Sequence, residues 1–228
     1  MDEIPIVTLD QKAYRMIKQM IFQKNLGPGQ KLIYEELCEV LKMSRTPIIN
    51  ALHRLEQEGF LVSKPFRGFH IKPVDSQEAW ELYGVREALE IYAIEQAVQM
   101  ASDKDIQTLQ GMAKLHREHM PLAYDQRKFI LDTDFHLQIA KISRNRILVQ
   151  LLTTNLEHVQ LRYSFGDMLP SRMPSAAKEH QKTLDCLKQR DMIGSIDAVR
   201  LHVRKARDHS LAALSRRAKL DDFEVNAK

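Results

Sequence analysis

Four side chains in the second half of the chain have the types and spacing to hold a metal ion. Asp132 and His136 stand one helical turn apart on an arc that also carries Phe129, Phe135, Ile139 and Ile142, while Asp134 points to the other side. His180 shares its arc with Ala176, Ala177, Leu184 and Leu187, and His202 lies among Ala198, Val199 and Ala206. Three imidazoles and one carboxylate are therefore expected to face inward from three helices. Burying such groups unpaired costs several kcal/mol. A divalent cation satisfies them together, because neutral imidazole nitrogen and carboxylate oxygen suit zinc, nickel, iron or manganese. The competing reading is a set of separate buried hydrogen bonds. His209, two turns beyond His202, could replace it, whereas His116 and His119, beside Arg117 and Glu118, are expected on the surface.

A second constellation lies near the amino terminus. Ser44 is a favoured N-cap whose oxygen can accept from first-turn amides, and Pro47 falls where it breaks no intrahelical bond. Ile48, Ala51, Leu52 and Leu55 form an apolar arc. The opposite arc presents Thr46, Ile49, Asn50, His53 and Gln57, with Arg45 and Arg54 on its margins. Asn and Gln can bond an adenine edge with two hydrogen bonds, and Arg matches guanine or phosphate. A helix so equipped can read DNA or be an ordinary surface helix with no partner, and the segment that follows decides between them.

The elements around these groups support the metal and the DNA readings. Gly59 ends the reading helix, Phe60–Lys64 and Phe69–Lys72 are strand-like, and Pro65 to Gly68 turns between them. No acidic residue lies between Gly59 and Lys72, so Lys64, Arg67 and Gly68 can approach a phosphate-lined groove. Upstream, Leu9–Asn25 and Tyr34–Leu41 carry helical patterns and Leu26–Leu32 reads as a turn. The ensemble is a winged helix-turn-helix. After Pro73–Ser76 the pattern is almost wholly helical. Six helices are expected, at Ser76–Ala101, Asp103–Met120, Tyr124–Ile142, Arg146–Ser164, Ser171–Arg190 and Gly194–Arg216, packed as an antiparallel bundle, and the segment from Ser215 to Lys228 is expected to fray.

The 228 residues thus divide into a winged domain over residues 1–74 and a helical domain over 75–228. Of the net charge of +4, most sits on the first domain, with eleven Lys/Arg against eight Asp/Glu in residues 1–74. That balance suits site-specific DNA binding better than a histone-like coat. Cys38 and Cys186 fall in different domains and are expected as reduced thiols. No run approaches the ~18 apolar residues of a membrane span, so a cytoplasmic protein is expected. Catalytic motifs are missing. There is no phosphate loop, no Glu-x-x-His or His-Glu-x-x-His, and no nucleophile triad pattern.

Residues 7 to 72 resemble the GntR family of bacterial transcription regulators, through Leu26-Gly-Pro-Gly29, Ser44-Arg45-Thr46-Pro47, Ala51-Leu52 and Glu58-Gly59-Phe60-Leu61. One departure stands out: Ile49 replaces the family's usual Arg and Asn50 its common Glu, so the operator sequence does not carry over. Asp132-Thr-Asp-Phe-His136 running to Asn145, Glu179-His180 running to Asp191, Ala198–His202, and Val85-Arg86-Glu-Ala-Leu-Glu90 resemble the family's FCD effector domain. This resemblance implies that Asp132, His136, His180 and His202 bind a divalent metal, with a small carboxylate effector beside it. Arg86, Asn155, His158 and Arg162 are candidate effector contacts, although Arg86 and Glu90 are also spaced to pair with each other. It further implies a homodimeric repressor on a pseudo-palindromic operator, released by a small organic acid. Three alternatives remain at this stage: a metal-free acyl-type effector, a purely structural metal, and a metalloenzyme with an accessory winged domain.

Overall fold

The computed structural model describes residues 8–226 apart from 24, 25, 27, 74 and 163–168, with the backbone alone for 161, 162 and 219–226. It divides into two compact units, Met1–Val74 and Asp75–Lys228.

In the first unit, α1 (Leu9–Gln23) buries Ala13, Ile17 and Ile21 against the helix that carries the reading face. That helix, α3 (Arg45–Gln57), follows α2 (Tyr34–Leu41) after a turn in which Lys42 adopts φ 51° and closes the end of α2 onto the Cys38 and Glu39 carbonyls. Ile48, Ala51, Leu52 and Leu55 are all within 1% of full burial, as their spacing requires. Ser44 is the N-cap with extended backbone, but its side chain makes no capping bond. The reason is local. Pro47 occupies the third helical position and has no N–H to give, which removes one of the two donors that a capping oxygen uses.

At its other end α3 closes through Gly59, which takes φ 78°. Phe60 N–H bonds the Leu55 carbonyl and Gly59 N–H the Glu56 carbonyl, both at 2.9 Å, while Phe60 and Leu55 bury together. This is a Schellman motif, and it aims the chain directly into the wing. The wing comprises β2 (Leu61–Lys64) and β3 (Gly68–Ile71), antiparallel with Lys64 opposite Gly68. A third strand, β1 (Lys31–Leu32), pairs with the free edge of β3, giving the order β1-β3-β2. Sequence reading assigns that segment to a turn. Two residues are too few for an alternation to show, and the strand exists only because β3 offers its edge, with Ile71 N–H bonding the Gln30 carbonyl at 2.8 Å.

The second unit is built from α4 (Ser76–Met100), α5 (Asp103–Glu118), α6 (Gln126–Ile142), α7 (Arg146–Arg162), α8 (Arg172–Lys188) and α9 (Met192–Asn226). α4 packs against α6, α7 and α9, α8 against α9, and α5 against α6 and α8. The starts of α4, α5 and α6 are fixed by side chains. Asp75 accepts from Gln77 N–H at 3.0 Å, Ser102 and Asp105 form a capping box, and Asp125 accepts from Lys128 N–H at 2.7 Å. The α5–α6 joint is further tied by Lys128, fully buried, whose ammonium donates to the carbonyls of His116 and His119 at the end of α5. Burial pushes that ammonium down to about 8.

α9 does not end near Arg216 but continues to Asn226. Residues 215–226 contain neither Gly nor Pro and are rich in Arg, Ala, Lys, Leu and Glu, so intrinsic propensity carries the helix past the point where its apolar period stops. Periodicity reports burial, whereas helicity needs only the absence of a breaker.

Replacing Gly59 by Ala forces a Cβ into the left-handed region at the junction of α3 and the wing. The expected cost is about 1–2 kcal/mol of stability in the first unit, read as a lower denaturant midpoint for its transition. An unchanged midpoint contradicts the account of this junction.

Candidate functional site

The i, i+4 spacing on α6 puts Asp132 and His136 on one face, where His180 from α8 and His202 from α9 meet them. Their ligating atoms all lie within 4.8 Å of one another. His136 Nε2 is 3.1 Å from His202 Nε2 and 3.2 Å from His180 Nε2, and His180 Nε2 is 3.2 Å from Asp132 Oδ1. Asp132 Oδ2 lies 3.8 Å from His136 Nε2. The three imidazoles are 1–3% exposed.

The outer nitrogens show which way the lone pairs face. His202 Nδ1 stands 2.9 Å from Glu179 Oε2, and an ionised carboxylate only accepts, so Nδ1 carries the proton and Nε2 presents its lone pair inward. His136 Nδ1 lies 2.7 Å from Glu90 Oε2, somewhat off the line of a good hydrogen bond, with the same consequence. Two inward lone pairs therefore confront each other at 3.1 Å, and beside them the Nε2 of His180 donates to the anionic oxygen of Asp132, a proton that a bound cation would displace. Two donors on one ion at about 2.1 Å each stand roughly 3.0–3.4 Å apart. The donor set and its spacing fit a divalent metal ion.

The charges around the quartet are held by burial and pairing. Burial opposes ionisation of Glu90, but Arg86 and then His136 beside it bring its carboxyl down to about 2. Arg86 donates from Nε to Glu90 Oε1 at 2.5 Å, and its Nη2 is buried without a hydrogen bond, 3.9 Å from Asp132 Oδ2. Burial holds His180 below its ordinary range against the pull of Asp132, and holds His202 well below, helped by the two neighbouring imidazoles. Burial would raise the Asp132 carboxyl; its bond to His180 and the neighbouring imidazoles overcome that and keep it well below the usual carboxylate range. On the outer side Glu179 is held by Arg172 at 2.7 Å and Lys205 at 3.2 Å.

A cleft opens on this cluster, with an empty volume of about 490 Å³ counting the solvent at its mouth. Arg86, Lys128, Arg172, Tyr83, Tyr124 and Ser210 line it together with Asp132 and His202. Cations and hydroxyls dominate its polar wall.

Several sequence-based expectations change here. His116 is 1% exposed rather than on the surface, its Nε2 3.7 Å from Asp132 Oδ1 and its ring 4.5 Å from that of His180. The signal was available, since Leu109, Ala113 and His116 form one buried stripe of α5. Burial pushes His116 down to about 3. His119 is half-buried on Asp125. His209 accepts from Leu169 N–H at 3.2 Å and lines the cleft, outside the quartet. Of the four expected effector contacts, Arg86 lines the cleft. Asn155 instead donates to the Leu82 carbonyl at 3.0 Å, tying α7 to α4, and neither it nor His158 is among the lining residues. The side chain of Arg162 lies outside the described residues. Glu179 as a carboxylate on His202, and Arg172 in the cleft wall, were not expected from spacing.

On the winged unit Arg45, Thr46, Asn50, His53, Arg54, Lys64 and Arg67 are exposed, Gly68 is half-buried at the wing, and Ile49 is half-buried. The reading face is locally bonded. Arg45 stacks over Tyr34 and donates to its hydroxyl, Asn50 donates to Asp10 at 3.1 Å, and Arg54 covers Tyr14 while donating to Glu58 at 3.0 Å. His53 pairs with Glu56 at 3.2 Å.

Residues 9–71 match the family of bacterial regulatory proteins named for GntR, and residues 81–205 match the FCD domain. The Nta operon transcriptional regulator of Aminobacter aminovorans is 31% identical over 141 residues, covering 62% of this chain and 67% of that regulator. The HTH-type transcriptional regulator YdhC of Bacillus subtilis strain 168 is 26% identical over 195 residues, 83% of this chain and 84% of its own. Among solved structures, Escherichia coli McbR/YncC superposes with a TM-score of 0.78 at 24% identity, over 93% of this chain and all 100% of that one. These matches place this chain in the GntR family of bacterial transcription regulators, with an FCD domain as its second unit.

Proposed function

We propose that this regulator is a homodimeric repressor whose affinity for a pseudo-palindromic operator is controlled by a small carboxylate metabolite bound beside a divalent metal. The observation that carries the metal is the convergence of three Nε2 atoms and one carboxylate oxygen within 4.8 Å of one another in the core, with the lone pairs of His136 and His202 facing each other. Asp132, His136, His180 and His202 hold the ion, with Glu90 and Glu179 fixing two of the imidazoles from behind. When bound, the metal supplies a concentrated positive charge that holds an anionic oxygen of the effector.

The cleft wall supports an acidic ligand. Arg86 Nη2 is buried with an unused donor, Arg172 and Lys128 add positive charge, and the Tyr83, Tyr124 and Ser210 hydroxyls offer neutral bonds. Tyr83 and Ser210 bond each other at 2.8 Å and so join α4 to α9 at the cleft. A ligand that changes this wall shifts the balance between arrangements of the helical unit, and DNA affinity follows through that population shift. On the DNA side, Arg45, Thr46, Asn50 and His53 face bases while Arg54, Lys64, Arg67 and the Gly68 backbone track phosphates. Two copies related by a two-fold axis suit half-sites about one helical turn apart.

Elemental analysis of protein prepared without an affinity tag should find about one divalent ion per chain, and the His136→Ala, His180→Ala double variant should have none. A chain that takes up no metal under any loading condition removes the proposal. Melting the metal-loaded protein against a panel of small organic acids should single out one group of ligands, with a stabilisation of about 2.7 kcal/mol at a hundredfold excess over Kd. Arg86→Gln and metal removal should each abolish that response; an equal rise in the metal-free chain rules out a metal-associated carboxylate. Selection from random duplex DNA should return inverted repeats. Arg45→Ala should then cost about 1–3 kcal/mol at one base position, and Lys64→Ala should weaken all sequences alike and reduce the salt slope by about 1. Binding that is flat across sequences defeats the operator claim.

A further inference from the structure

The wing ends in a side chain that the fold itself does not use. Arg67 N–H bonds the Lys64 carbonyl at 2.9 Å, closing a turn with Pro65 and Phe66 at its centre. Phe66 has φ 60° and an exposure of 109%, that of a side chain with no neighbour over it. Proline at the first central position and a positive φ at the second is the type II pattern, in which glycine fills the second position without strain. A bulky aromatic there is a backbone outlier. Phe66 thus carries strain at the tip, buries no surface, and stands in water.

Its surroundings select one partner. Lys64 and Arg67 flank it, both exposed, and no acidic residue occurs from Gly59 to Lys72. Gly68 follows with φ 77°, and the hairpin stems from the same Gly59 junction that closes the reading helix. The tip is therefore an aromatic ring between two phosphate-seeking cations on a DNA-binding unit. Phenylalanine in that setting is one of the side chains that enter a minor groove and separate a base step, while arginine beside it is drawn to a narrow groove.

We propose that Phe66 is an apolar wedge that inserts into the minor groove flanking each half-site and partly unstacks one base step, so that the wing reads deformability as well as charge. This rests on DNA binding by the winged unit and adds specificity at a position that no hydrogen bond reads. Flexible pyrimidine–purine steps at that position are favoured over stiff A-tracts.

The test uses the full chain and a duplex enriched from a random pool, carrying 2-aminopurine singly at each position flanking the half-sites. Binding of the unaltered chain should raise the fluorescence severalfold at one position per half-site. Phe66→Asn and Phe66→Gly, which accept a positive φ, should keep or raise the melting point, lose the fluorescence change, and bind about tenfold more weakly. Their salt slope should equal that of the parent, because the ring meets no phosphate. Phe66→Trp should keep both signals. Bound duplex with unperturbed 2-aminopurine at every position, or a Phe66→Asn variant within twofold of the parent affinity, overturns the wedge and leaves operator binding standing. A parent chain that binds no duplex overturns both.

Discussion

An imidazole lone pair that meets another at 3.1 Å inside a protein core is repelled by it, and neither can turn to water. This repulsion is built into the second unit by α6 and α9, and α8 brings His180 against the same pair. α6, α8 and α9 each spend an inward position on a ligating side chain that an aliphatic residue could fill at no electrostatic cost. A cation among the four groups, as proposed, turns the repulsion into attraction and makes the ion part of the core. Because the donors come from three helices, their affinity for it is also an affinity of the helices for one another.

Two relays hold the quartet in that arrangement. One runs from Arg86 through Glu90 to His136, joining α4 to α6; the other runs from Arg172 and Lys205 through Glu179 to His202, joining α8 to α9. The Arg86–Glu90 pair is only 3–4% exposed, and such a pair gains little net stability once the cost of leaving water is counted. Its consequence is orientation. Each carboxylate holds one imidazole by its outer nitrogen and so directs the inner one. Arg86 and Arg172 behind them also border the cleft, which means that a ligand touching either perturbs a relay and not merely a surface. In the proposed function, this is the route by which the effector would alter how α4, α6, α8 and α9 pack.

The features legible in the sequence were those carried by a repeat on one element. The apolar arc of α3, the Asp132–His136 turn and the six-helix order all follow from spacing, and Gly59 marks its junction because few other residues take its φ. What escaped depended on partners distant in the chain. β1 is a strand only because β3 offers an edge. Asn155 looked like a cleft residue on its own helix, yet Leu82, 73 residues away, takes its amide. His116 was misplaced for a different reason: charged neighbours at Arg117 and Glu118 suggested an exposed patch, although Leu109 and Ala113 already defined the inner stripe on which it lies. Helical neighbours in sequence point in different directions, so the turn before it was the better guide.

The reading face shows a related coupling between bonds made at rest and bonds made on DNA. Arg45 is stacked on Tyr34 and Arg54 on Tyr14, so both guanidiniums are held near the helix surface before any duplex arrives, which lowers the entropy lost on binding. Asn50 is different, because its amide already donates to Asp10. A base that takes this amide must offer at least what the carboxylate offered, and Asp10, left beside the duplex, repels phosphate. In the proposed base contact Asn50 would therefore give a smaller net gain than an unengaged Asn, and a base that cannot return both a donor and an acceptor would be penalised. On the proposed DNA contacts, Ile49 beside it supplies no charge, so discrimination on this part of α3 would depend on fit more than on attraction, with the general attraction to phosphate assigned to Arg54, Lys64 and Arg67.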